Sequence, residues 1–329
     1  MKKLFLSAAI FLFLVPVFAA REDWSLSVEP LAGLKFGQVD EYVFLKQSNY
    51  DDDKLSELNW ELKNEFYGGL KINSGWKNIF LNMSFTSGIT SQTGTMADSD
   101  WLNIGTAGLE DYQYKTNYSE SDNYLDYDYT FEIKAGYDFE PYKNDFLRLS
   151  VKPFAGLYFN SISFDAEGGS YWYGATVNDT YQLPWNDSST KEEHFTGKVI
   201  SYKRTSYIFW LGFDSSLELP KNFVLNTGFN FSPYLYSESI DTHWKRALMF
   251  ADKTPGYFGA FKWNLGAEYK IAKRHSILLN ASYFYMRTLR GDSFSKSTSA
   301  KTYTKDGTDD GGAGAHWFDI SLAYRFKIF

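Results

Sequence analysis

The chain has 329 residues, a formal net charge of −7, 19% aromatic residues and no cysteine. Without cysteine no disulfide can staple the fold, and the acidic balance argues against nucleic acid as a partner. The aromatic load is high for a domain surrounded by water on every side.

Met1-Lys2-Lys3, the apolar run from Leu4 to Phe18 and the small pair Ala19-Ala20 follow the charged, hydrophobic and small-residue succession of a secretory signal peptide, so residues 1–20 are read as removed on export. Losing Lys2 and Lys3 takes the mature chain, 21–329, from −7 to −9. No later run approaches the ~20 apolar residues of a membrane helix. A membrane-inserted form of this chain therefore has to be a barrel.

Alternation with period two recurs from Trp24 onward. The first run sets Trp24, Leu26, Val28, Ala32, Leu34 and Phe36 against Ser25, Ser27, Glu29 and Lys35. The second sets Leu58, Trp60, Leu62, Phe66, Leu70 and Ile72 against Glu57, Asn59, Glu61, Lys63, Glu65 and Lys71. Ile79 to Ile89, Leu125 to Tyr137 and Leu147 to Phe159 read the same way, and a less regular run from about Lys198 to Leu219 suggests a bulge. Phe223 to Leu235, Tyr257 to Tyr269, Ser276 to Leu289 and Phe318 to Ile328 complete ten strands.

Connections alternate in length. Asn73 to Lys77, Glu140 to Asp145, Pro220 to Asn222 and Ala272 to His275 are turn-like, whereas Gly37 to Ser56, Ser91 to Asn123, Asp165 to Gly197, Ser237 to Gly256 and Arg290 to Ala315 are long and polar. The pattern is that of an all-β chain folded as a ten-stranded antiparallel transmembrane β-barrel: short periplasmic turns, long extracellular loops, apolar residues toward lipid and polar ones in the lumen. A soluble sandwich would have to bury its stripes in a core, and the opposite faces carry too much Glu, Lys, Asp and Arg for that.

Two polar pairs fall on the same rim of this barrel. Asp98 and Asp100 lie beyond the third strand, and Asp241 and His243 lie beyond the seventh. An i, i+2 spacing on an extended segment points both side chains the same way. Two close carboxylates compete for one proton, and a carboxylate beside an imidazole makes a base able to take a proton from water. Taken by spacing alone, acid/base work and a merely solvated or cation-binding rim are both open. The lack of a second clustered His or any Cys argues against zinc, and no Gly-x-Ser-x-Gly elbow supports a serine nucleophile.

Five short motifs in order carry a resemblance. Lys54-Leu55-Ser56-Glu57-Leu58-Asn59-Trp60, Met96-Ala97-Asp98-Ser99-Asp100-Trp101, Gly168-Gly169-Ser170-Tyr171, Tyr202-Lys203 and Asp241-Thr242-His243 are similar to those of the omptin family of outer-membrane endoproteases. The resemblance implies endopeptide hydrolysis by direct attack of water, with Asp241 and His243 as the activating dyad, Asp98 and Asp100 opposite, and the site facing the extracellular side. It also implies an acid, Glu41, at the base of a pocket for a basic side chain, and hence cationic peptide or protein substrates. Ser239 departs from the family, which usually places a second pocket acid there. Family members depend on lipopolysaccharide held by basic residues on the outer wall; Arg148 and Lys152 fall on the polar, lumen-facing side of the fifth strand and Arg204 does not align securely with such a site, so a lipopolysaccharide requirement is carried over without residues. Beyond lipid of the outer membrane, the sequence assigns no other cofactor and leaves the oligomeric state open. The alternative reading is an outer-membrane adhesin that uses its long loops, with catalysis lost or secondary.

Overall fold

A computed structural model describes residues 23–46 and 53–329; the signal-peptide reading of residues 1–20 lies outside them. Ten antiparallel wall strands are arranged in a closed ring. They are β1 (Trp24–Leu45), β2 (Lys54–Trp76), β3 in two pieces, β3a (Ile79–Gly88) and β3b (Gln92–Asp100), β4 (Asn117–Tyr137), β5 (Arg148–Tyr173) and β6 (Lys198–Glu218). The ring continues with β7 (Phe223–His243), β8 in two pieces, β8a (Leu248–Gly256) and β8b (Ala260–Ala272), β9 (His275–Ser297) and β10 (Thr304–Lys327). Pairing of β10 with β1, from Lys327 opposite Ser27 to Asp309 opposite Leu45, closes it and leaves no free edge.

The outer face of one half is a belt of large apolar side chains. On β7 the outward series is Phe223, Leu225, Thr227, Phe229, Phe231, Tyr234 and Tyr236, and it turns polar at Glu238. On β1 the series Leu34 and Phe36 gives way to Gln38 and the hydrogen-bonded Asp40. The strands run on well past the belt. Most of what the sequence shows as loop is in fact strand: β1 continues to Leu45, β3b spans Gln92–Asp100, β5 reaches Tyr173, β7 reaches His243 and β9 reaches Ser297. The apolar stripe stops where lipid stops, so period two disappears from the sequence although the ladder continues.

The inward and outward faces also exchange along β2. Leu58, Trp60 and Leu62 point into the barrel, at 3%, 0% and 1% exposure, while Phe66 and Leu70 on the same strand point out. The phase flips at Lys63-Asn64, where β1 pairs Lys35 with Glu65 but Gly37 with Leu62, and Asn64 takes a φ of 58°. Above the belt the lumen is therefore apolar: Trp60 stacks on Phe164 and Tyr202 at 5.5 and 5.4 Å, and Val39, Met96, Ile208 and Leu289 pack with them. Within the belt the lumen is polar as expected. Lys35 there bonds Asp128 and lies 3.2 Å from Glu65, and Arg325 holds Glu29 and Glu268 at 2.5 Å each. The apolar layer forms a floor, and the candidate site stands on it.

Candidate active site

Both candidate pairs sit on strands rather than loops, on facing walls at the end away from the termini. Asp241 and His243 are the last inward residues of β7. The tight turn 244–247 holds them, with Trp244 N on Val199 O at 2.9 Å, Trp244 Nε1 on Ser201 Oγ at 2.7 Å, and Ala247 at a φ of 52°. His243 Nε2 and Asp241 Oδ2 are 2.6 Å apart, and the Phe250 ring meets the imidazole edge-on at 5.4 Å. This bond fixes the ring through Nε2 and leaves Nδ1 as the nitrogen not engaged by Asp241.

Asp98 and Asp100 close β3b, paired on one side with Leu58 and Ser56 of β2 and on the other with Ser119 and Asn117 of β4. Asn117 Nδ2 donates to Asp100 Oδ2 at 3.4 Å, while Asp98 Oδ1 is out of solvent with no hydrogen-bond partner. These groups stand above the apolar belt. Burial raises Asp98 well above the usual carboxylate range, with the neighbouring Asp100 adding to it, and burial likewise raises Asp100. Burial would depress His243, but the carboxylates of Asp241 and, more weakly, Asp98 overcome it and raise the imidazole. Asp98 and His243 thus act on each other's charge across the cleft.

Glu41 lies inward on β1, 3% exposed, opposite Leu58 and Ala313. Burial raises it well above its ordinary range, and the charges of Asp241, Asp252 and Asp98 add to that. Ser239 is 6% exposed and inward, and Glu238 beside it points out. Two features were not read from the sequence. Asp252 on β8a, 4% exposed, is the register partner of Ser239; its strand alternates weakly because both faces mix polar and apolar residues. Beside the turn that follows His243, a cavity of about 550 Å³ is lined by Tyr171, Tyr173, Phe195, Lys245 and Arg246 among others.

The omptin family model matches residues 23–328. The chain belongs to the omptin family. It is 25% identical over 295 residues to the outer membrane protease OmpP of Escherichia coli (strain K12), covering 86% of this chain and 84% of that protein. It is 23% identical over 312 residues to the plasminogen activator of Yersinia pestis, covering 92% and 90%. The crystal structure of the outer membrane protease OmpT from Escherichia coli matches with a TM-score of 0.75 at 19% identity, covering 92% of this chain and 97% of that one. The ring of this omptin is thus an outer-membrane β-barrel fold, which accounts for its aromatic belt.

Proposed function

We propose that this omptin is an outer-membrane endoprotease that hydrolyses peptide bonds near basic residues, its cleft facing the outside of the cell. The observation that carries the reading is the 2.6 Å Asp241–His243 bond set opposite a carboxylate pair that shares its field. A water between the walls gives its proton to the free nitrogen of His243, and its oxygen attacks the scissile carbonyl carbon. Asp241 accepts the Nε2–H and steadies the imidazolium that forms. The Asp98–Asp100 pair, which retains a proton because its charges are close and buried, positions the water or hands that proton to the departing amine. No covalent enzyme intermediate is required. Glu41 at the cleft floor draws the basic side chain, and lipopolysaccharide acts as an activating lipid.

Refolded barrel, with and without lipopolysaccharide, is assayed on peptides containing Arg-Arg or Lys-Arg. Cleavage is expected, and His243→Ala lowers kcat by about 10²–10⁴-fold. Absence of cleavage, or cleavage indifferent to that change, sinks the reading; matrix binding that survives it in an inactive wild type would point to the adhesin instead.

A further inference from the structure

Glu41 is not the only buried carboxylate on the cleft floor that keeps an oxygen without a hydrogen bond. Asp252 is equally enclosed, and its Oδ1, like Oε2 of Glu41, makes no hydrogen bond. Its side chain leans across β9 toward β10: a Cβ added to Gly311 would lie 2.1 Å from the Asp252 carboxyl carbon. Gly311 pairs with Val43, and Ala313, two residues along, pairs with Glu41. The run Gly311-Gly312-Ala313-Gly314-Ala315 is buried throughout and holds no side chain larger than a methyl, so the wall between the two acids is thin.

Among the described residues no ion pair is made to either acid. Arg204, on β6 beside Ser239, gives Nη1 to Gly314 O at 2.6 Å and forms no ion pair among the described residues. Lys253 lies over the Phe294 ring, Arg290 is held by Asp53 and Asp310, and Lys305 by Asp292. Among the described residues no acidic grouping suited to a metal ion occurs either. Two desolvated carboxylates facing one small-walled space are costly unless something positive enters it.

We propose that Asp252 is a specificity-determining residue that forms with Glu41 a two-carboxylate pocket for the guanidinium or ammonium group of a substrate side chain. Ser239 and Asp252 are direct register partners on adjacent strands and both point inward, so a carboxylate on either strand enters the same row of the lumen. The acid missing at Ser239 is supplied from next door. Two carboxylates suit the planar fork of arginine better than lysine's point charge. The proposal rests on the protease reading above and adds its second pocket residue.

The test compares wild type, Asp252→Asn and the exchange Ser239→Asp with Asp252→Ser on matched peptides carrying Arg or its neutral isostere citrulline before the scissile bond. Binding of the same peptides to a His243→Ala background is measured by calorimetry. The Arg-to-citrulline ratio of kcat/KM is expected to fall by roughly tenfold or more in Asp252→Asn and to recover most of that in the exchange variant. A ratio unchanged in Asp252→Asn, or a loss shared equally by both peptides, overturns the proposal. If wild type cleaves neither peptide, the protease reading fails, and calorimetry still decides: preference for the Arg peptide that vanishes in Asp252→Asn supports the pocket, and equal preference removes it.

Discussion

The two halves of the lumen are built from the same ten strands and treat charge in opposite ways. Inside the belt, acids meet bases: Lys35 with Glu65 and Asp128, Arg325 with Glu29 and Glu268, Lys270 with Glu218, Lys152 with Asp138. Above the apolar floor, Asp98, Asp241, Glu41 and Asp252 each keep an oxygen with no partner. The lower half is an electrostatic closure that holds the barrel's cross-section. The upper half is left acidic, which is what the proposed cation pocket and proton-transfer site require.

Removing a charge should therefore have opposite signs in the two halves. Lys35→Met strands Glu65 and Asp128 in the lumen and is expected to destabilise the barrel by about 3–5 kcal/mol, read as a shift in denaturant unfolding in detergent micelles. Glu41→Gln or Asp252→Asn removes a buried carboxyl whose ionisation burial opposes and which has no ion-pair partner among the described residues, and above neutral pH each should stabilise by about 0.5–2 kcal/mol. A destabilised Glu41→Gln would break the comparison. The pH dependence sharpens it further. Asp252 is pushed by burial up to about 7, so between the ordinary carboxylate range and neutrality the folded chain keeps a proton that the unfolded chain has released. Stability then falls as pH rises through that window, by at most roughly 1.4 kcal/mol per unit. Asp252→Asn should lose that share of the slope, and an unchanged slope would remove Asp252 as its source.

The ten strands could be read from the sequence only where lipid enforces the pattern. Phe223 to Phe231 announces itself because every second side chain must face hydrocarbon, whereas Leu235, which the sequence places on the same stripe, is turned into the lumen, and Leu248–Gly256 is equally regular as a ladder yet carries Met249 and Lys253 outward and Phe250 and Asp252 inward. Water on the outside tolerates either kind. The phase reversal at Lys63-Asn64 was hidden for a related reason: a bulge adds a residue without leaving a compositional trace, so Trp60 and Phe66 share a parity in the chain and opposite sides in the wall. Asp98, Asp100, Asp241 and His243 were found because their i, i+2 spacing survives either assignment. Asp252 was recoverable in principle. Once 244–247 is taken as a turn, His243 faces Leu248 and the ladder carries Ser239 to Asp252.

The smallest expected effect concerns the proton at His243, and it distinguishes the two charged pairs within the upper half. As the proposed base, the imidazole has to be neutral, so activity should rise with pH as the ring loses its proton. The Asp241 carboxylate at 2.6 Å and the more distant Asp98 hold that proton more tightly than burial releases it, so the rise should lie above the ordinary imidazole range. Asp241→Asn removes the stronger of these two attractions and leaves the burial that depresses the ring, so the rising limb of kcat/KM should move to lower pH even as its plateau drops. Asp98→Asn should move the limb in the same direction by less, because Asp98 contributes to the imidazole from across the cleft rather than through a hydrogen bond. A limb that stays in place in Asp241→Asn would mean that a group other than His243 sets it, with the carboxylate pair of β3b the next to examine by the same substitution series.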